Sequence, residues 1–112
     1  MNVKLPLAED KKLTVIFRVE PGCLGPDGNE HVAEFCLFAQ KEYSPIDSGF
    51  INWSIVPMYD KSLNEIEYKI GSLGLTHDKV TRYLEMFEKN PDDFEEELSN
   101  KISELIIQHI ES

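Results

Sequence analysis

Leu13-Thr14-Val15-Ile16-Phe17-Arg18-Val19-Glu20 runs directly into Pro21-Gly22-Cys23-Leu24-Gly25-Pro26-Asp27-Gly28, a turn that holds three of the chain's six glycines. Successive side chains of an extended strand point to opposite faces. The first stretch therefore carries Leu13, Val15, Phe17 and Val19 on one face and Thr14, Ile16, Arg18 and Glu20 on the other, which predicts a strand. From Glu30 to Tyr43 the period changes: Val32, Phe35, Cys36, Ala39 and Tyr43 recur at helical spacing. Asp27, with Glu30 three residues on, or Asn29 is placed to cap that helix. Leu37 and Phe38 fall off the stripe. Three readings fit them: a helix buried on more than one side, an apolar patch offered to a partner, or a strand in place of the helix.

Beyond a loop at Ser44–Gly49, Phe50 to Pro57 reads as a second strand, with Ile51, Trp53 and Ile55 on one face. Glu65 to Ile70 alternates strictly, Ile66, Tyr68 and Ile70 inward, and these two strands are expected to pair as an antiparallel hairpin. Gly71 to Leu75 breaks the strand. Thr76 then caps a helix whose Val80, Tyr83, Leu84 and Phe87 share a face. Asn90-Pro91-Asp92-Asp93 opens a last helix to about Ile110, its buried stripe being Phe94, Leu98, Ile102, Leu105, Ile106, His109 and Ile110. The expected fold is a single α+β domain over 1–112, a small antiparallel sheet of about three strands with helices on one face, in the order β-α-β-β-α-α. Residues 1–11 read as a frayed start.

The chain has 112 residues with 21 acidic against 11 basic, a formal charge of −10. The excess gathers late: Glu85 to Ser112 holds nine carboxylates and two lysines. Binding nucleic acid or an anionic membrane needs clustered Lys and Arg, so both are disfavoured as partners, whereas a basic protein is not. No apolar run approaches the roughly 20 residues of a membrane span. Cys23 and Cys36 are too few for a disulfide framework and fit a reducing, cytoplasmic setting. No Cys-x-x-Cys or His-x-x-x-His spacing marks a metal site, and no cofactor is expected.

Gly22, Gly25 and Gly28 lie where a glycine-rich turn cradles phosphate in some folds. Their spacing matches neither the dinucleotide nor the P-loop pattern, and no lysine lies between Lys12 and Lys41. Gly22, Cys23, Gly25, Asp27 and Gly28 remain the candidate ligand loop, with Cys23 as a nucleophile and His31 as its base if the chain is a thiol-dependent enzyme. Asp92, Asp93, Glu95, Glu96 and Glu97 form an acidic face that the helix dipole explains and that a basic partner could use. At 100° per residue Ile107 points away from the stripe of the last helix, so with Leu37 and Phe38 it makes a candidate interface. These features favour a non-enzymatic interaction or regulatory domain, expected as a homodimer because cyclic dimers are the commonest oligomers. The alternative is a small-molecule-binding or thiol-dependent protein centred on residues 21–28.

Overall fold

A computed structural model of the chain describes residues 4–111. It contains strands β1 (Leu13–Val19), β2 (Ile51–Pro57), β3 (Ile66–Ile70) and β4 (Leu73–Gly74), and helices α1 (Gly28–Tyr43), α2 (His77–Met86) and α3 (Pro91–Glu111). The fold is α+β, but the sheet is mixed, in the order β2-β1-β3-β4. β1 runs parallel to β2 from Leu13↔Ile51 to Val19↔Pro57 and antiparallel to β3 from Leu13↔Ile70 to Phe17↔Ile66. The expected β2–β3 hairpin does not form. Sixteen residues of α1 carry the chain back to the end where β1 began, so β2 must lie parallel to β1, and β3 takes the other edge. β4 is a fourth strand absent from the expected order, turned back onto β3 by Gly71, whose φ of +59° suits the first central position of a two-residue hairpin loop.

Only one face of the sheet is apolar. Leu13, Val15, Phe17 and Val19 are buried beneath Val32, Phe35, Cys36, Ala39 and Tyr43 of α1, Val80 and Leu84 of α2, and Phe94, Leu98, Ile102 and Leu105 of α3. The alternate β1 residues Thr14, Ile16 and Arg18 are half-buried on the open side, where Arg18 donates to Glu67 at 2.8 Å and to the Asn64 carbonyl at 2.7 Å. The guanidinium holds the Glu67 carboxyl below the usual carboxylate range. Two tyrosine hydroxyls tie the layers together. That of Tyr43 donates to the Leu98 carbonyl at 2.6 Å, and that of Tyr83 donates to the Phe50 carbonyl at 2.8 Å and accepts the Leu13 N–H at 3.1 Å. No helix among the described residues is long and apolar enough to cross a membrane.

Three local expectations change. Part of the frayed start, residues 1–3, lies outside the described residues. From Leu7 onward the segment is held, with the Leu7 N–H on the Gly49 carbonyl at 2.8 Å and the Glu9 carboxylate taking Lys12 and Asn52, each at 2.9 Å. Asp27 stands at the N-cap of α1 without a side-chain cap bond, because ψ of 18° is not the extended geometry that aims a carboxylate at the first turn. Ile110 is 57% exposed. Twenty-one helical residues rise about 31 Å against about 23 Å for a seven-residue strand, so the last turn of α3 overhangs the sheet.

The outer edge of β2 is closed by a side chain. Gln40 of α1 donates its amide to the Trp53 carbonyl at 2.8 Å and accepts the Ile55 N–H at 2.9 Å, as a neighbouring strand would. The Ile55 N–H thus points away from β1. Pro57, two residues on, faces the same way, so its missing N–H costs no ladder bond. Gln40→Ala should lower stability by about 1–2 kcal/mol and shift the urea midpoint accordingly. Gln108→Ala, at an exposed site, should stay within about 0.5 kcal/mol of wild type.

Candidate functional site

The turn after β1 is a 3-10 helix over Pro21–Leu24 that buries Leu24 and then passes through Gly25 at φ +97°, a conformation that favours glycine. Gly28 begins α1 against that turn. A Cβ there would sit 1.7 Å from the Pro21 carbonyl oxygen, so glycine is required by contact with backbone. Gly22 has neither constraint. Two of the three glycines are thus explained by the path of the chain.

The same turn forms one wall of a surface cleft of about 300 Å³, and Met58, Tyr59 and Lys61, following β2, form the other. Both walls leave the carboxyl ends of the parallel pair, the position at which open α/β sheets bind ligands. Gly22, Gly25 and Gly28 line it. Its charges are Glu20 and Lys61, paired with each other at 3.2 Å with side chains 44% and 81% exposed. Such a pair is largely screened by water and leaves the cleft without an unbalanced charge to orient a substrate.

The thiol and the imidazole of the candidate loop do not share this cleft. Cys23 is exposed and lines a separate hollow with Arg18, Glu65, Ser99, Ser103 and Ile106, while His31 borders another with Leu24, Asp27 and His109. The rings of His31 and His109 lie 6.2 Å apart, edge to face, and His109 also meets Phe35 at 5.4 Å. Cys36 is 4% exposed in the core, and burial pushes its thiol up to about 11.

The acidic stretch divides by role. Asn90 caps α3, accepting the N–H groups of Asp92 and Asp93 at 2.9 and 3.2 Å, which sets both carboxylates at the positive end of the helix dipole. Glu95 turns inward and accepts the Tyr68 hydroxyl at 2.8 Å, leaving Glu96 and Glu97 on the exposed side. Burial, with Glu95 beside it, pushes the Tyr68 hydroxyl well above its ordinary value. Among the described residues no three His, Cys, Asp or Glu side chains converge as a metal site. Of the interface candidates, Leu37 is 70% and Ile107 55% exposed, whereas Phe38 is half-buried against Phe35. A third feature, unforeseen from the sequence, is a cleft between Tyr43, Trp53 and Phe94 with Asp47, Glu97 and Lys101 at its rim. Its rings come from three elements, each read as core.

No protein-family model, curated protein or solved structure compared with this chain matches it. The site is therefore read from its own chemistry.

Gly28→Ala should cost about 3 kcal/mol in urea unfolding, since the turn must move off α1, while Gly22→Ala should change stability by less than about 1 kcal/mol. A thiol reagent at pH 8 should modify Cys23 only, the second equivalent reacting after denaturation. Because the folded thiol of Cys36 is raised from 9.0 to about 11, its contribution to stability is complete below pH 9 and is lost as pH rises to about 11.

Proposed function

We propose that this protein is a non-enzymatic interaction domain that docks a basic partner on the outer surface of its α1–α3 layer. The observation that carries this reading is the segregation of charge. α1 and α3 hold ten of the chain's 21 carboxylates and two of its 11 basic residues; the rest of the chain has eleven and nine, close to neutral. The dipole of α3 accounts for Asp92 and Asp93, and the Tyr68 hydroxyl engages Glu95; the other seven carboxylates of the two helices are exposed and available to a basic partner.

Apolar surface lies within that acidic layer. The helices run antiparallel, since His31 near the start of α1 meets His109 near the end of α3 and Tyr43 at the end of α1 meets Leu98. Leu37 and Ile107, both exposed and off the buried stripes of their helices, then stand within about one turn of each other along the pair. Each has a carboxylate one turn before it, Glu34 and Glu104. Apolar anchors with a charged rim are the pattern of a protein-binding surface. The partner's matching surface carries lysine or arginine around an apolar centre. A homodimer through this face would set two carboxylate-rich layers against each other, which favours an oppositely charged partner over a second copy. The two free thiols, Cys23 and Cys36, suit a reducing cytoplasmic compartment.

Immobilised wild type should retain basic proteins at about 50 mM salt and release them by about 300 mM, as screening shortens the reach of surface charge. The Leu37→Lys/Ile107→Lys variant should retain few of them. Equal retention by both forms counts against this face. In light scattering the isolated protein should be monomeric; a dimer stable at low salt and broken by Ile107→Lys would transfer the reading to a homodimer.

A further inference from the structure

The antiparallel pairing of α1 and α3 brings two of the chain's three histidines together. The rings of His31 and His109 lie 6.2 Å apart, edge to face, and with Leu24, Pro26, Asp27 and Ile110 they line an open hollow of about 370 Å³. His31 is exposed, and His109 is half-buried against Phe35. Along the helix axes His31 stands about 9 Å from Leu37 and His109 about 3 Å from Ile107, so the pair sits beside both apolar anchors. The charged groups around the rings are carboxylates: Asp27 shares the hollow, Glu30 precedes His31, Glu34 follows it by one turn, and Glu104 and Glu111 flank His109 on α3. The 3-10 turn contributes only the apolar Leu24 to this hollow. Arg18, Glu20 and Glu65, from β1 and the strand ends, border the separate hollow of Cys23, with the Arg18 guanidinium held by Glu67 at 2.8 Å. No lysine or arginine occurs between Arg18 and Lys41 or after Lys101. Over these stretches of α1 and α3 the two imidazoles are therefore the side chains that can become positive.

We propose that the His31–His109 pair makes docking of the basic partner acid-sensitive, neutral rings admitting the partner's lysine and arginine side chains and charged rings repelling them. Histidine is the side chain whose ordinary charge change falls between pH 5 and 8, a range in which Asp, Glu, Lys and Arg ordinarily keep theirs. Asp27, Glu30, Glu34, Glu104 and Glu111 give this end of the helix pair five carboxylates, so two added protons change its charge from −5 to −3. The added charges lie within the roughly 10 Å screening length of 0.1 M salt from a cation seated at Leu37 and Ile107, and they act on it through space. Linkage makes the effect reciprocal: a partner that binds less well to the protonated form expels protons when it binds. This regulation rests on the docking reading above and acts on the same face.

The probe is a labelled leucine-lysine peptide, acetylated and amidated so that it carries no group titrating in this range, with binding followed by fluorescence anisotropy at a constant ionic strength of about 50 mM. Wild-type affinity should fall about fivefold between pH 7.5 and pH 5.5. In His31→Asn/His109→Asn the fall should shrink to less than about twofold, whereas His77→Asn, at the start of α2, should keep it in full. Calorimetry on the wild-type protein supplies a readout that needs no substitution: at pH 6.5 peptide binding should release protons, seen as a heat that varies with the ionisation enthalpy of the buffer. Equal affinity at the two pH values, a double variant that keeps the fall, or binding without proton release overturns the proposal and leaves the docking face standing. No peptide binding at pH 7.5 overturns both, so the two readings fail separately.

Discussion

β1 is hydrogen-bonded on both edges yet apolar on only one face, and the arrangement of every helix follows from that asymmetry. Leu13, Val15, Phe17 and Val19 supply the surface on which helices can be buried, each contributing on the order of 1.5–3 kcal/mol when taken from water. The other face offers Thr14, Ile16 and the Arg18–Glu67 pair, against which an apolar stripe gains little. All three helices therefore share one side. Two of them, α1 and α3, are brought together as an antiparallel pair that holds ten of the chain's 21 carboxylates. A second consequence falls at the end of that pair, where Tyr43, Trp53 and Phe94 meet around a cleft because α1, β2 and α3 converge there.

Periodicity identified the elements well because it reports which side of an element is buried. The α1 positions Val32, Phe35, Cys36, Ala39 and Tyr43 are all in the core, and Thr76 accepts the Lys79 N–H at 3.4 Å as a cap should. Periodicity does not report neighbours. The alternation of Ile66, Tyr68 and Ile70 fits either edge of β1 equally well, so the β2–β3 hairpin was a natural expectation; the crossover by α1 decided against it. β4, with two residues, is too short to carry a period.

The candidate loop was legible as a shaped turn, and its geometry supports that plain meaning through Gly25 and Gly28. Its chemistry was not legible, since whether Cys23 and His31 face one hollow depends on how the 3-10 turn rotates them, and they face two. The Gln40 clip on β2 and the inward turn of Glu95 were equally hidden. A polar residue beside an apolar stripe reads as solvated unless its partner strand is known. The aromatic cleft had no local signal at all, for Tyr43, Trp53 and Phe94 are far apart in sequence and each satisfies a core pattern by itself.

Leu37 and Ile107 are exposed on the two helices that hold ten of the chain's carboxylates, and that combination is the centre of the proposed function. Amide chemical-shift mapping of the protein with an amphipathic leucine-lysine peptide tests it most directly. Perturbations that cluster around Leu37 and Ile107 on α1 and α3, fading as salt is raised, are the predicted result. Perturbations centred on the open face at Thr14, Arg18 and Lys69, or on the turn at Pro21–Gly28, would contradict it.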